Sequence, residues 1–163
     1  MNYNVHPLFV HFPIALLTLY SVLELIRFRI IRRQQYWFYI KAVLVIIGAA
    51  SAWVAAYFGG IAEHMVTDRS IRPLIEMHSN WATITIAIYS ILGVAYLIGW
   101  AEKIGISWRP LSKLKWLIIE TPFVWILSTA GLIALLITGA LGGSLVYGPS
   151  NDPVTNFIYH LFF

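Results

Sequence analysis

The sequence contains no cysteine. That excludes disulfides, thiolate metal centres and covalent haem attachment through a C-x-x-C-H motif. Charge is scarce as well. Only 11% of the 163 residues are Asp, Glu, Lys or Arg, where a soluble domain carries about a quarter. Hydrophobic residues make up 60%, so the chain reads as an integral membrane protein. Hydrolase signatures are missing: there is no H-E-x-x-H zinc element and no evident Ser-His-Asp order. No Lys or Arg precedes the first apolar run and no small-residue cleavage site follows it. A cleavable signal peptide is therefore not expected.

Long charge-free apolar runs are what the sequence does have, at 8–23, 42–62, 81–101 and 121–146. Each is close to the ~20 residues that a helix needs to span a bilayer. They predict an all-α, integral membrane four-helix bundle occupying 1–147, with spans near 7–26, 40–62, 78–101 and 121–146. A tail, 148–163, has turn residues and then an amphipathic end, and is expected to lie on the outer surface.

Basic residues set the expected orientation. Arg27, Arg29, Arg32, Arg33 and Lys41 fall between the first two runs, and Lys103, Arg109, Lys113 and Lys115 between the last two. Arg69 and Arg72 are the only ones between runs two and three, and the tails have none. The positive-inside rule then puts both basic loops in the cytoplasm and both termini outside. The net charge of +4 is a set of topology anchors, and nucleic acid is not an expected partner.

All five histidines fall on the expected outer side: His6 and His11 at the start of span one, His64 after span two, His78 at the start of span three and His160 in the tail. If span one begins near Pro7, a favoured first-turn residue, His11 lies roughly 6 Å inside it. His78 has a similar position in span three. Ionisable groups at such depth mark a functional site by default. The plainer alternative is an interfacial histidine hydrogen-bonded to a backbone carbonyl.

Local patterns fill in the rest. Pro13 falls in the first turns of span one, where a missing N–H costs little, and Glu24 and Arg27 are spaced to pair at its end. Tyr36, Trp37, Tyr39 and Trp100 read as interfacial anchors. Gly48, Ala52, Ala56 and Gly60 form a small-residue row in span two, with Ser51, Ala55 and Gly59 beside it, and Gly131, Gly139 and Gly143 repeat the theme in span four. Such rows let helices approach closely or leave room for a flat cofactor. Thr121-Pro122 reads as a cap and first helical residue. Pro73 is expected to start a short helix that leads into span three.

The motif His6-Pro7…His11-Phe12-Pro13, ahead of an aliphatic helix, resembles a bacterial membrane family, domain of unknown function 2231. Gly60, Ala62 and Glu63, then Leu74, Ile75, Glu76 and His78, match further elements of that family over about the first hundred residues. The resemblance implies a four-helix domain in the bacterial inner membrane. Relatives fused to c-type cytochrome modules imply a redox setting.

Three functions fit these residues. The first is one-electron transfer through haem b held between His11 and His78. His6 and His64 could hold a second haem, Arg69 and Arg72 could pair with propionates, and quinol or a cytochrome c could be the outer partner. The second is a Zn, Cu or Fe site drawn from His6, His11, His64, His78, Glu63 and Glu76. His6 and His11 lie about 140° apart on a regular helix, so they share an ion only if Pro7 keeps His6 off it. The third is a non-catalytic accessory or scaffold subunit whose histidines cement helices. The small-residue rows also allow a homo-oligomer.

Overall fold

A computed structural model describes residues 6–26, 34, 36–150 and 152–163, with side chains from residue 9 onward. Among the described residues there are six α-helices in chain order: α1 (His6–Leu25), α2 (Tyr36–His64), α3 (Arg72–Lys103), α4 (Arg109–Lys115), α5 (Phe123–Tyr147) and α6 (Pro153–Phe162). A π-helical turn, Trp116–Glu120, joins α4 to α5. There is no strand among the described residues.

α2, α3 and α5 are long and apolar enough to cross a membrane, and the described part of α1 is a shorter apolar helix, Phe9–Leu25. α1 packs on α2, α2 on α3, α3 on α5, and α5 back on α1. α1 and α3 therefore stand diagonally opposite, as do α2 and α5. α3 begins earlier than the sequence suggests. Pro73 sits in its first turn, where its lost N–H has no intrahelical partner, so no separate short helix precedes the span. His78 consequently lies about 9 Å inside α3.

The main buried cluster centres on Leu17 and Tyr20 of α1, Ala42, Val45 and Ala49 of α2, and Tyr89, Leu92 and Tyr96 of α3. Close approach at glycine shapes it. A Cβ at Gly48 would lie 2.5 Å from Leu17 Cδ2, and one at Gly131 would lie 3.0 Å from Tyr89 Cζ. The expected small-residue rows are only partly used for packing. Gly48 and Ala52 are buried, whereas Ala56 and Gly60 are exposed. In α5 close contacts fall on Gly131 of the expected row and on Gly142, which the row of Gly131, Gly139 and Gly143 passed over. A Cβ there would lie 3.1 Å from His78 Cε1.

The tail folds back as a helix. Gly148, at φ +85°, adopts a left-handed turn that glycine allows without strain. Asp152 then caps α6, accepting from Val154 N at 3.0 Å and Thr155 N at 2.9 Å. Ile158 packs with Leu74, Ala140 and Leu141 in a second cluster, while Val154, Phe157 and Leu161 are exposed on the other face.

Candidate functional site

The histidine end and the Glu24 end of this helix assembly carry polar groups of different kinds. At the histidine end, the half-buried His78 ring is held by α5. Its Nδ1 lies 3.0 Å from the Thr138 carbonyl oxygen. A carbonyl can only accept, so Nδ1 carries the proton in this bond. Gly142 lets the ring approach the α5 backbone, and the Thr85 and Thr138 hydroxyls meet at 3.1 Å further along α3. This is the carbonyl bond of a purely structural histidine. It is also the bond by which a metal-ligating imidazole fixes its tautomer and direction.

The other residues named from sequence are more dispersed. His11 is exposed on α1, His64 is exposed at the last position of α2, and His160 is exposed on α6. His6 begins α1, but its side chain lies outside the described residues. Arg69 and Arg72 are exposed. Arg72 shares a small pocket with Glu63 and Glu76, so carboxylates from both ends of the connecting loop stand near it. Asp68 is occupied within its own turn, where the Ser70 main-chain N–H and hydroxyl hold its carboxyl below the usual range. Among the described residues, no three His, Asp or Glu side chains are grouped to hold one metal ion.

The Glu24 end contains what sequence reading missed. Glu24 is only 7% exposed. Its expected partner Arg27 lies outside the described residues, and Lys41 of α2 reaches Glu24 Oε1 at 2.9 Å. The Tyr96 hydroxyl, from diagonally opposite α3, donates to Glu24 Oε2. Tyr20 packs edge-on against Tyr96 and Tyr89, and Ser21 meets the Tyr89 hydroxyl at 2.7 Å. A carboxylate taken out of water needs such partners, because an unpaired one costs several kcal/mol. The Tyr20 hydroxyl and Ser128 Oγ are also fully buried within this cluster. The available signal was Glu24 itself, an acidic residue one turn from Tyr20 and Ser21 at the end of an otherwise uncharged span.

Beside this cluster is a cavity of about 190 Å³, bounded by Glu24, Trp37, Lys41, Glu120, Thr121 and Trp125 among others. Lys115 ties the neighbouring turn down, pairing with Glu102 at 3.0 Å and with Glu120. Partial burial would depress the Lys115 ammonium, but its hydrogen bonds to these two carboxylates outweigh that and raise its pKa.

No curated protein and no solved structure matches the chain. A family model does match, over residues 2–150. The likeness therefore extends past the first hundred residues and takes in α5 as well as α1, α2 and α3. With three apolar helices of spanning length and a match over most of its length, the chain belongs to the DUF2231 family, whose description is a predicted membrane protein.

Proposed function

We propose that this protein is a four-helix transmembrane bundle, with both termini on the outer side, that binds haem b near the outer leaflet and transfers single electrons there. The orientation rests on the basic residues, of which Lys103, Arg109, Lys113 and Lys115 all cluster around α4, away from the histidine end. By the positive-inside rule that end faces outward. The bacterial inner membrane is the setting that the family resemblance implies.

The observation that carries the haem reading is the fixing of His78. Its Nδ1–H is committed to Thr138 O, and such an outer bond orients a ligating ring and raises its basicity. What supports the reading on this side is an imidazole set inside α3 against Gly142. His11, borne by the diagonally opposite helix, would be the second imidazole to hold the haem. Among the described residues, the main buried cluster draws on α1 only from Leu17 onward. His6 and His64 would serve a second haem, and Arg69 and Arg72 would pair with propionates. When bound, haem supplies a one-electron couple. The chain's part is to hold two imidazoles, exclude water with its apolar helices and place charge at the rim. Quinol or a cytochrome c on the outer side is the proposed exchange partner, and a homo-oligomer is compatible with the exposed Ala56 and Gly60.

A second reading draws on the same hydrogen bond. His78 would then be cement between α3 and α5 in a scaffold subunit, worth around 0.6 kcal/mol like other polar contacts between membrane helices. The Zn, Cu or Fe alternative has less support, since no three-ligand group occurs among the described residues.

An absorption spectrum of the detergent-purified protein separates these readings. Haem binding gives a Soret band with sharp reduced α and β bands, lost in His78→Ala and His11→Ala and kept in His160→Ala. A colourless protein that stays folded in both alanine variants removes the haem reading and leaves the scaffold. Bound metal without haem bands would instead support the ion site.

A further inference from the structure

The cavity at the Glu24 end lies where α1 ends, α2 begins and the π-helical turn enters α5, which is headgroup depth in a spanning protein. At about 190 Å³ it exceeds the roughly 150 Å³ that accepts benzene. It falls short of the roughly 300–1,000 Å³ of pockets for larger ligands. It therefore admits a group of about one ring's size.

Its walls carry both signs of charge. Lys41 gives one ammonium proton to Glu24 and is a three-proton donor, so further donors remain for an acceptor entering the cavity. Glu120 binds Lys115 through Oε1, which leaves Oε2 as an acceptor for a cation. Trp37 and Trp125 also line the cavity, and indole faces attract ammonium groups. A purely anionic ligand would meet Glu24 and Glu120, and a purely cationic one would meet Lys41. A zwitterion satisfies all of them.

We propose that this cavity binds a phosphoethanolamine-type zwitterion, its phosphate on Lys41 and its ammonium between Glu120 and the indoles. The same chemistry is offered by the headgroup of an aminophospholipid and by free phosphoethanolamine. The site is independent of the haem reading, because none of its residues lies at the histidine end.

The test is native mass spectrometry of the full chain, delipidated in detergent and offered phosphatidylethanolamine, phosphatidylglycerol or free phosphoethanolamine. One phosphatidylethanolamine is expected to be retained in preference to phosphatidylglycerol by about tenfold, equivalent to ~1.4 kcal/mol. Glu120→Gln, at a half-exposed position, is expected to abolish the preference without unfolding the protein. Trp125→Phe, which keeps an aromatic wall with a weaker cation–π face, should weaken it. Retention of free phosphoethanolamine without the lipid would support the recognition and place its source in solution. Equal retention of the two lipids with no binding of the free zwitterion would overturn the proposal, as would an undiminished preference in Glu120→Gln.

Discussion

Lys41 and Glu24 meet at 2.9 Å across the α1–α2 boundary, with side chains 14% and 6% exposed. Tyr96 bonds to the other carboxylate oxygen, and the Lys41 ammonium lies 5.6 Å from the Tyr96 ring centre. Three helices thus converge on one charge pair. Removing one partner of such a pair costs about 3–5 kcal/mol, because the other is left buried and uncompensated. Lys41→Ala should lose that amount in detergent unfolding. The double variant Lys41→Met with Glu24→Gln should recover most of it, since neither charge then remains. A Lys41→Ala protein as stable as the parent would mean that the pair opens to water.

Gly142 and Gly139 give a matched comparison on one helix. A Cβ at Gly142 meets His78 Cε1 at 3.1 Å, while one at Gly139 meets nothing within 4 Å. The ring cannot retreat without stretching its bond to Thr138 O. Gly142→Ala should cost about 1–3 kcal/mol by overpacking, and Gly139→Ala should stay within about 0.5 kcal/mol. If haem is present, Gly142→Val should also shift or remove the Soret band, which Gly139→Val should leave alone.

Gly48 is tighter still, with Leu17 Cδ2 2.5 Å and Leu17 Cγ 2.9 Å from its would-be Cβ. Leu17 is fully buried and has nowhere to go. Gly48→Ala should destabilise by about 1–3 kcal/mol, and Leu17→Val added to it should restore part of the loss. The coupling between these two changes, measured as a double-mutant cycle, checks that the contact is the cause.

Asp152 makes docking of the tail helix pH-dependent. The Thr155 side chain, the Thr155 main-chain N–H and the Val154 N–H hold its carboxyl below the ordinary aspartate range. A depressed folded pKa means the capping contribution is complete above the unfolded value. It is lost as pH falls through the folded one. Amide exchange in α6 should quicken under acid. Asp152→Asn, which can still cap, should remove that pH dependence, and Asp152→Ala should raise exchange at every pH.

The approximate positions of the long helices were legible because apolar run length and charge are one-dimensional properties. Each expected span lies within two residues of a helix end or inside a longer helix. The largest difference, the start of α3, arose because a proline in a first turn reads in sequence like a break. Histidine positions were equally plain, but their partners were not. Nothing in local spacing links His78 to Thr138 and Gly142, sixty or more residues away. Gly142 escaped notice because its neighbour is a ring from another helix rather than a second small residue.

Sequence alone thus determined the membrane class, the helices and the side of the protein on which the basic residues gather, because a bilayer demands long uncharged runs whatever the packing. Tertiary structure alone decided that Glu24 is buried with Lys41 and Tyr96, and that α5 grips His78. Which faces of these helices turn inward depends on contacts between distant segments. With apolar residues all around each helix, no hydrophobic stripe marks the inner face in advance.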